Sequence, residues 1–180
     1  MIYTYEECKQ KYKTDYELRK KLQSGDLVRI DRGLYSDEVI ESELAVVGKK
    51  YPNAVFTMNS AFYYHELTDV IPQYFYLITD KDATKIKDSA VVQFFDNCDS
   101  LELGQITMNR NGTDIRIFNR ERLLIELIRN KNKLPFDYYK EIISSYRRLI
   151  WEMDVQAVQD YAIKLPKTRL VMNTLQMEVF

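Results

Sequence analysis

The sequence is poor in the residues from which most catalytic and metal sites are built. It has one histidine, His65, and two cysteines, Cys8 and Cys98. A histidine-based metal site needs further ligands at suitable spacing, so His65 reads as structural. Two lone thiols suggest a reducing, cytoplasmic setting rather than a disulfide framework. No apolar run approaches the length of a membrane span, and the opening MIYTYEECKQKYK lacks the apolar core of a signal peptide. There is no Gly-x-Ser-x-Gly elbow and no Walker loop. The acid-rich segments at 79–82 and 96–99 lack the glycine and terminal glutamate of a calcium loop. Asp114, followed by Arg116, starts like a nuclease carboxylate pattern, but no Glu-x-Lys follows. The expectation is a protein with no catalytic residues, no metal and no cofactor.

What is present is a globular composition. Of 180 residues, 46% are hydrophobic and 29% charged, enough for one or two domains with a real core. The net charge is −1, but it is unevenly spread. Residues 1–33 hold 8 Lys/Arg and 6 Asp/Glu, residues 34–109 hold 5 and 12, residues 110–150 hold 10 and 5, and residues 151–180 hold 3 and 4. Two basic segments thus flank an acidic one, which hints at an anionic partner for the basic parts.

The most informative stretch is Thr14 to Tyr35, TDYELRKKLQSGDLVRIDRGLY. Thr14 and Glu17 have capping-box spacing, so a helix starts at Asp15. At about 100° per residue, Leu18 and Leu22 share one face. Tyr16, Arg19, Lys20 and Gln23 gather on the other, a set suited to phosphates and base edges. Gly25 stands where a glycine ends a helix. Leu27 to Ile30 alternates as a half-buried strand. Asp31-Arg32-Gly33 reads as a three-residue hairpin loop, with Leu34 and Tyr35 returning. Arg29 lies on the ribbon and Arg32 at its tip, where a minor groove or a phosphate can meet it. The pattern is the second half of a winged helix-turn-helix. An amphipathic helix with a solvated basic face fits the same residues.

Around this stretch, Thr4 and Glu7 form a second capping box, with Tyr3 and Cys8 as its hydrophobic staple. The helix Tyr5–Tyr12 places Tyr5, Cys8 and Tyr12 on one side. No room remains for a further helix in front, so the module is either trimmed or completed by later segments. A helix is expected from Ser36, with Ile40, Leu44 and Val47 as its core stripe and Pro52 as its stop. It should pack on Leu18 and Leu22. Residues 54–58, 74–79 and 91–95 read as strands, and Asn59 or Ser60 as the cap of a short helix between the first two. Asn111-Gly112 marks a hairpin between QITM and TDIRIF. Beyond Phe118 the chain turns helical. Asn119 caps a helix with Leu123, Leu127 and Ile128 inward. Pro135 opens another with Tyr138, Ile142, Tyr146, Leu149 and Ile150 on its apolar side. Val155, Val158 and Ala162 mark a third, and Pro166 precedes a last one. The cations of 110–150 read as solvated helix faces balanced by the acidic segment, or else as a second phosphate surface. The tyrosines fall at core spacing rather than forming a base-stacking platform.

The order of these pieces resembles the AbiEi antitoxins of bacterial abortive-infection, or type IV toxin–antitoxin, systems. The family's winged-helix run is met by Gly25, Leu27, Arg29, Gly33 and Tyr35. A Ser-Ala segment leading to a histidine is met by Ser60, Ala61, Phe62, His65 and Leu67. A proline-aromatic strand is met by Pro72 and Tyr74 to Thr79. IRIFNRERLLIELIRN is similar to the family's strand-to-helix step, with Glu126 in place of its usual aspartate. The resemblance spans roughly residues 4–150. It implies an α+β chain with an abbreviated winged helix in residues 1–36 and an antitoxin or interaction domain in 37–180 that ends in helices. It implies a transcriptional autorepressor that binds double-stranded operator DNA, as a homodimer or cooperatively at inverted repeats. A nucleotidyltransferase-fold toxin is the implied partner. Tyr16, Arg19, Lys20 and Gln23 become recognition-helix residues, and Arg29 and Arg32 wing residues. The competing readings are a protein-interaction module with a degenerate winged helix and, more distantly, a nuclease-like enzyme.

Overall fold

A computed structural model describes residues 1–38 and 41–180. Helices combine with one antiparallel and one mixed sheet in an α+β fold, as the sequence suggests. The chain divides into two compact units, Met1–Asn53 with Asn111–Asp114, and Ala54–Arg110 with Ile115–Phe180.

The first unit opens on strand β1 (Ile2–Thr4), helix α1 (Tyr5–Tyr12) and helix α2 (Asp15–Ser24). The hairpin β2 (Val28–Asp31) and β3 (Leu34–Ser36) follows, then α3 (Glu43–Lys50). The sheet order is β1-β3-β2, with both pairings antiparallel. Both arms of the first capping box are made: Thr4 Oγ1 accepts from the Glu7 amide at 3.2 Å, and Glu7 accepts from the Thr4 amide at 2.7 Å. The second box is only half made. Thr14 Oγ1 accepts from the Glu17 amide, but the Thr14 amide donates to the Tyr12 carbonyl in the tight turn between the helices. Gly25, at φ 79°, closes α2 in the left-handed region that favours glycine.

Cys8, Leu18 and Leu27 form the core of this unit, and Tyr3, Tyr12, Leu22 and Tyr35 pack around them. The partners of Leu18 and Leu22 therefore come from α1 and the hairpin, not from a helix starting at Ser36. Ser36 is the buried end of β3, and α3 begins later, capped by Ser42 Oγ, which accepts from the Ala45 amide. The expected stripe residue Ile40 lies outside the described residues. Tyr5 also departs from its expected inward position. Its hydroxyl donates to Asp15, and the Lys9 ammonium sits over its ring. The compact unit runs past the sequence boundary at residue 36 because α3 packs on β1 and its two lysines reach back. Lys49 pairs with Glu7 at 2.7 Å and Lys50 with Asp31 at 2.6 Å.

The second unit holds a five-stranded sheet in the order β6-β5-β4-β8-β7. Its strands are β4 (Val55–Phe56), β5 (Phe75–Asp80), β6 (Val91–Asp96), β7 (Gln105–Arg110) and β8 (Thr113–Phe118). Asn111 and Gly112 both have positive φ, 52° and 81°, as the Asn-Gly turn requires. Helix α4 (Met58–Tyr64) starts ahead of the expected caps, at Thr57, which makes no side-chain cap bond. Ser60 is not free to cap, because its hydroxyl accepts from the Tyr76 amide and donates to the Tyr74 carbonyl of the neighbouring strand segment.

A short helix, α5 (Cys98–Glu102), precedes β7. Asn119 Oδ1 caps α6 (Arg120–Arg129) by accepting from the Arg122 amide. Every residue from Arg122 to Ile128 is buried, since α6 packs against α4, α8 (Val155–Lys164) and α9 (Thr168–Thr174). Helix α7 (Phe136–Leu149) buries Tyr139, Ile142, Ile143 and Tyr146, with Tyr138, Leu149 and Ile150 half-buried at the edge of that stripe. Among the described residues no helix is long and apolar enough to cross a membrane.

Candidate nucleic-acid interface

Helix α2 separates its two faces cleanly. Leu18 is buried and Leu22 half-buried, while Tyr16, Arg19, Lys20 and Gln23 are exposed. Tyr16 is 75% exposed, so its ring stands largely in solvent. The turn that follows is shorter than the expected three-residue loop. Asp31 and Leu34 are already paired, and only Arg32 and Gly33 form the tip. Between Arg29 and Asp31 the register slips by one residue, a bulge that restores the pairing at the tip. Gly33, at φ 77°, meets no neighbouring atoms in the direction of a side chain, so conformation rather than space calls for glycine there.

Residues 1–53 contain ten Lys/Arg and ten Asp/Glu. Net charge therefore attracts no anion, and the arrangement of free charge decides. Three cations are neutralised in place: Lys21 by Asp26 at 2.9 Å, Lys49 by Glu7 and Lys50 by Asp31. The Lys21 contact raises that ammonium's pKa and lowers that of the Asp26 carboxyl, each through the hydrogen bond they share. Lys11 donates to the Tyr3 hydroxyl at 2.7 Å, which raises its pKa. Among the described residues Lys9, Lys13, Arg19, Lys20 and Arg32 have no carboxylate within ion-pair distance. Arg29 has none either; its Nε donates to the Asp31 carbonyl at 3.2 Å. Lys20 stands at the rim of a cleft of about 430 Å³ between α1 and α2, lined also by Lys11, Tyr12, Glu17 and Lys21.

All six expected site residues thus lie in one compact unit, four on the outer face of α2 and two on the hairpin. Sequence reasoning missed Lys9 and Lys13. Lys13 closes α1 at φ 56°, in the turn that leads into α2. Its signal in the sequence is its place directly before the capping threonine. The opening turn of α2 carries Asp15 and Glu17, so the basic character is concentrated towards the helix's second half.

Elsewhere the chemistry is internal. His65 is buried, its Nε2 lies 2.8 Å from the Phe118 carbonyl, and burial lowers its pKa. A carbonyl only accepts, so Nε2 carries the proton and His65 ties α4 to the end of β8. Asp96 faces Arg122 at 3.4 Å and Arg129 at 3.8 Å. Asp37, Glu38 and Glu41 bring carboxylate oxygens within 4.8 Å of one another, and the Met1 ammonium lies 3.0 Å from Glu41. Most cations of 110–150 are engaged: Arg110 with Glu66, Arg120 with Glu152, Arg122 and Arg129 with Glu126, and Lys131 with Glu178. Arg147 donates to the Glu178 carbonyl and Arg148 to Ser145 Oγ. This matches the reading of balanced helix faces better than a second phosphate surface.

No protein-family model matches the chain. No curated protein matches it either. Among solved structures it is similar to the RV2827C protein from Mycobacterium tuberculosis, with a TM-score of 0.64 and 14% identity, over 98% of this chain and 71% of that one. At that identity the likeness is one of fold.

Proposed function

We propose that residues 1–53 form a winged helix that binds double-stranded DNA, with α2 as the recognition helix, β2–β3 as the wing and α3 as the third helix of the module. The single observation behind this is the division of charge. Arg19, Lys20 and Arg32 lack carboxylate partners among the described residues, whereas Lys21, Lys49 and Lys50 of the same unit are paired, and the three share that unit with exposed Tyr16 and Gln23. Tyr16 and Gln23 supply contacts to base edges, and Arg19 reads guanine or a phosphate. The resemblance to AbiEi antitoxins extends the proposal to a transcriptional autorepressor and antitoxin, acting at inverted repeats upstream of its own reading frame. Its second unit would then face a nucleotidyltransferase-fold toxin.

The test is binding of the upstream DNA fragment, followed by fluorescence anisotropy from 50 to 200 mM salt. Contacts from Arg19, Lys20, Arg29 and Arg32 give a log–log salt slope of about −4 per copy, a loss of affinity on the order of a hundredfold across that range. Arg32→Ala should lower the slope by about 0.9 without changing sequence preference. Arg19→Ala should alter the preference as well. Absence of any binding at 50 mM salt would refute the DNA-binding reading. It would favour a protein-interaction module, a reading that the neutral overall charge of residues 1–53 also suits.

A further inference from the structure

The wing contains one acidic residue, Asp31, between its two arginines. Simple electrostatics makes such a carboxylate a liability for a DNA-facing hairpin, since it repels phosphates and offsets one arginine. The contacts it makes point the other way. Asp31 Oδ1 accepts from the Arg32 amide at 2.6 Å, fixing the first residue of the tip. Asp31 Oδ2 meets Lys50 Nζ at 2.6 Å, anchoring the tip to α3. The Asp31 carbonyl accepts from Arg29 Nε at 3.2 Å. These contacts sit beside the register slip between Arg29 and Asp31, where the ladder alone holds the strand least.

We propose that Asp31 is the positioning residue of the wing, presetting Arg32 for a DNA backbone. The inference rests on the DNA-binding reading above. The side-chain oxygen on the Arg32 amide ties down the first residue of a two-residue tip whose second residue, Gly33, is already held through its carbonyl by the Tyr5 amide at 3.0 Å. Preordering spares the loss of freedom that the tip otherwise suffers on binding. Lys50, already neutralised, acts as a strut between α3 and the wing.

The experiment compares wild type, Asp31→Ala and Asp31→Asn by anisotropy on the upstream DNA fragment, and by the amide proton shift of Arg32 in the free protein. Asp31→Ala adds a positive charge overall, yet its affinity should fall about tenfold, the scale of one lost hydrogen bond to a charged group. Its Arg32 amide should lose its downfield position. Asp31→Asn keeps an acceptor at Oδ1 and should restore both the amide shift and the affinity. Tighter binding by Asp31→Ala would overturn the proposal, because it is what removal of a repulsive charge alone produces. An Asp31→Asn variant as weak as Asp31→Ala would also overturn it, by making the Lys50 pair and not the tip the source of the effect. Should the wild type bind no DNA, the DNA-binding reading fails separately; an unchanged Arg32 amide in Asp31→Ala would then sink the ordering of the tip on its own terms.

Discussion

Glu126→Gln should destabilise the second unit more than any change on the outer face of α2. Glu126 and Arg122 are both buried, at 5% and 0% exposure. Arg122 Nη2 lies 2.8 Å from Glu126 Oε1 and its Nε donates to the same oxygen at 3.0 Å. Arg129 adds a contact to Glu126 at 2.7 Å. The Arg122 guanidinium also donates to the Ser100 carbonyl at 2.8 Å, faces Asp96 and lies 4.6 Å from the centre of the Phe118 ring. Two arginines and two carboxylates thus balance within α6 and the end of β6. Burial pulls the Arg122 pKa below its usual value, and the Glu126 carboxylate opposes that shift. At an effective dielectric near 20, one such pair attracts by about 6 kcal/mol before desolvation is counted. Neutralising Glu126 leaves two cations against Asp96, and breaking a buried pair in this way costs about 3–5 kcal/mol. For a chain of this size that is a fall in Tm of roughly 6–20 °C. The assay is urea unfolding by circular dichroism, run as a double-mutant cycle with Arg122→Met and Arg122→Met/Glu126→Gln. The double variant keeps Asp96 and Arg129 as a neutral pair, so its loss should be well below the sum of the singles. A loss under about 1 kcal/mol for Glu126→Gln, or additive singles, would refute the reasoning by showing a solvent-screened pair.

The buried His65 makes stability depend on pH. Its pKa is depressed in the folded chain relative to the ordinary 6.5, so its contribution is present above that value and is lost as pH falls through the folded pKa. His65→Gln should flatten the fall in urea midpoint between pH 7.5 and 5 relative to wild type, and an unchanged difference across that range would contradict it. The two thiols should separate by reactivity. Cys98 is exposed while Cys8 is fully buried with its pKa raised by burial, so a disulfide reagent should titrate one equivalent quickly in the native protein and the second only on unfolding. Two fast equivalents would contradict the buried position of Cys8.

The elements that the sequence located well are those governed by local chemistry. Thr4 and Glu7 form their capping box, Gly25 closes α2 and Asn111-Gly112 turns the hairpin, because each depends on neighbours a few residues away. The misplacements share a different cause. The start at Ser36 failed because β1 takes β3 as a partner and draws Ser36 into the ladder, opposite Ile2. Ser60 failed as a cap because the Tyr74 carbonyl and the Tyr76 amide, fourteen and sixteen residues later, claim its hydroxyl. Both are tertiary claims on a side chain that local spacing cannot register. Of the site, the outer face of α2 and the tip arginine were legible, since exposure follows from helical and hairpin geometry. The neutralisation of Lys49 and Lys50 was not, because their partners Glu7 and Asp31 lie far away in the chain.

Arg122 and Glu126 carry the same lesson further. An i, i+4 ion pair is ordinarily a solvated surface bridge. Yet LLIELI, from Leu123 to Ile128, leaves α6 with almost no polar face, and a helix that is apolar all round is buried all round. Only the charges had to come inside with it, and they did so in mutually balanced numbers. The same principle works in reverse in the first unit. There a neutral total is kept, but three of the carboxylates pair with the lysines of α3 and with Lys21, and Arg19, Lys20 and Arg32 have no such partner among the described residues. Net charge is silent in both cases. Which charges find partners decides that Arg122 and Arg129 of α6 help hold the second unit together, while Arg19, Lys20 and Arg32 have no carboxylate partner among the described residues.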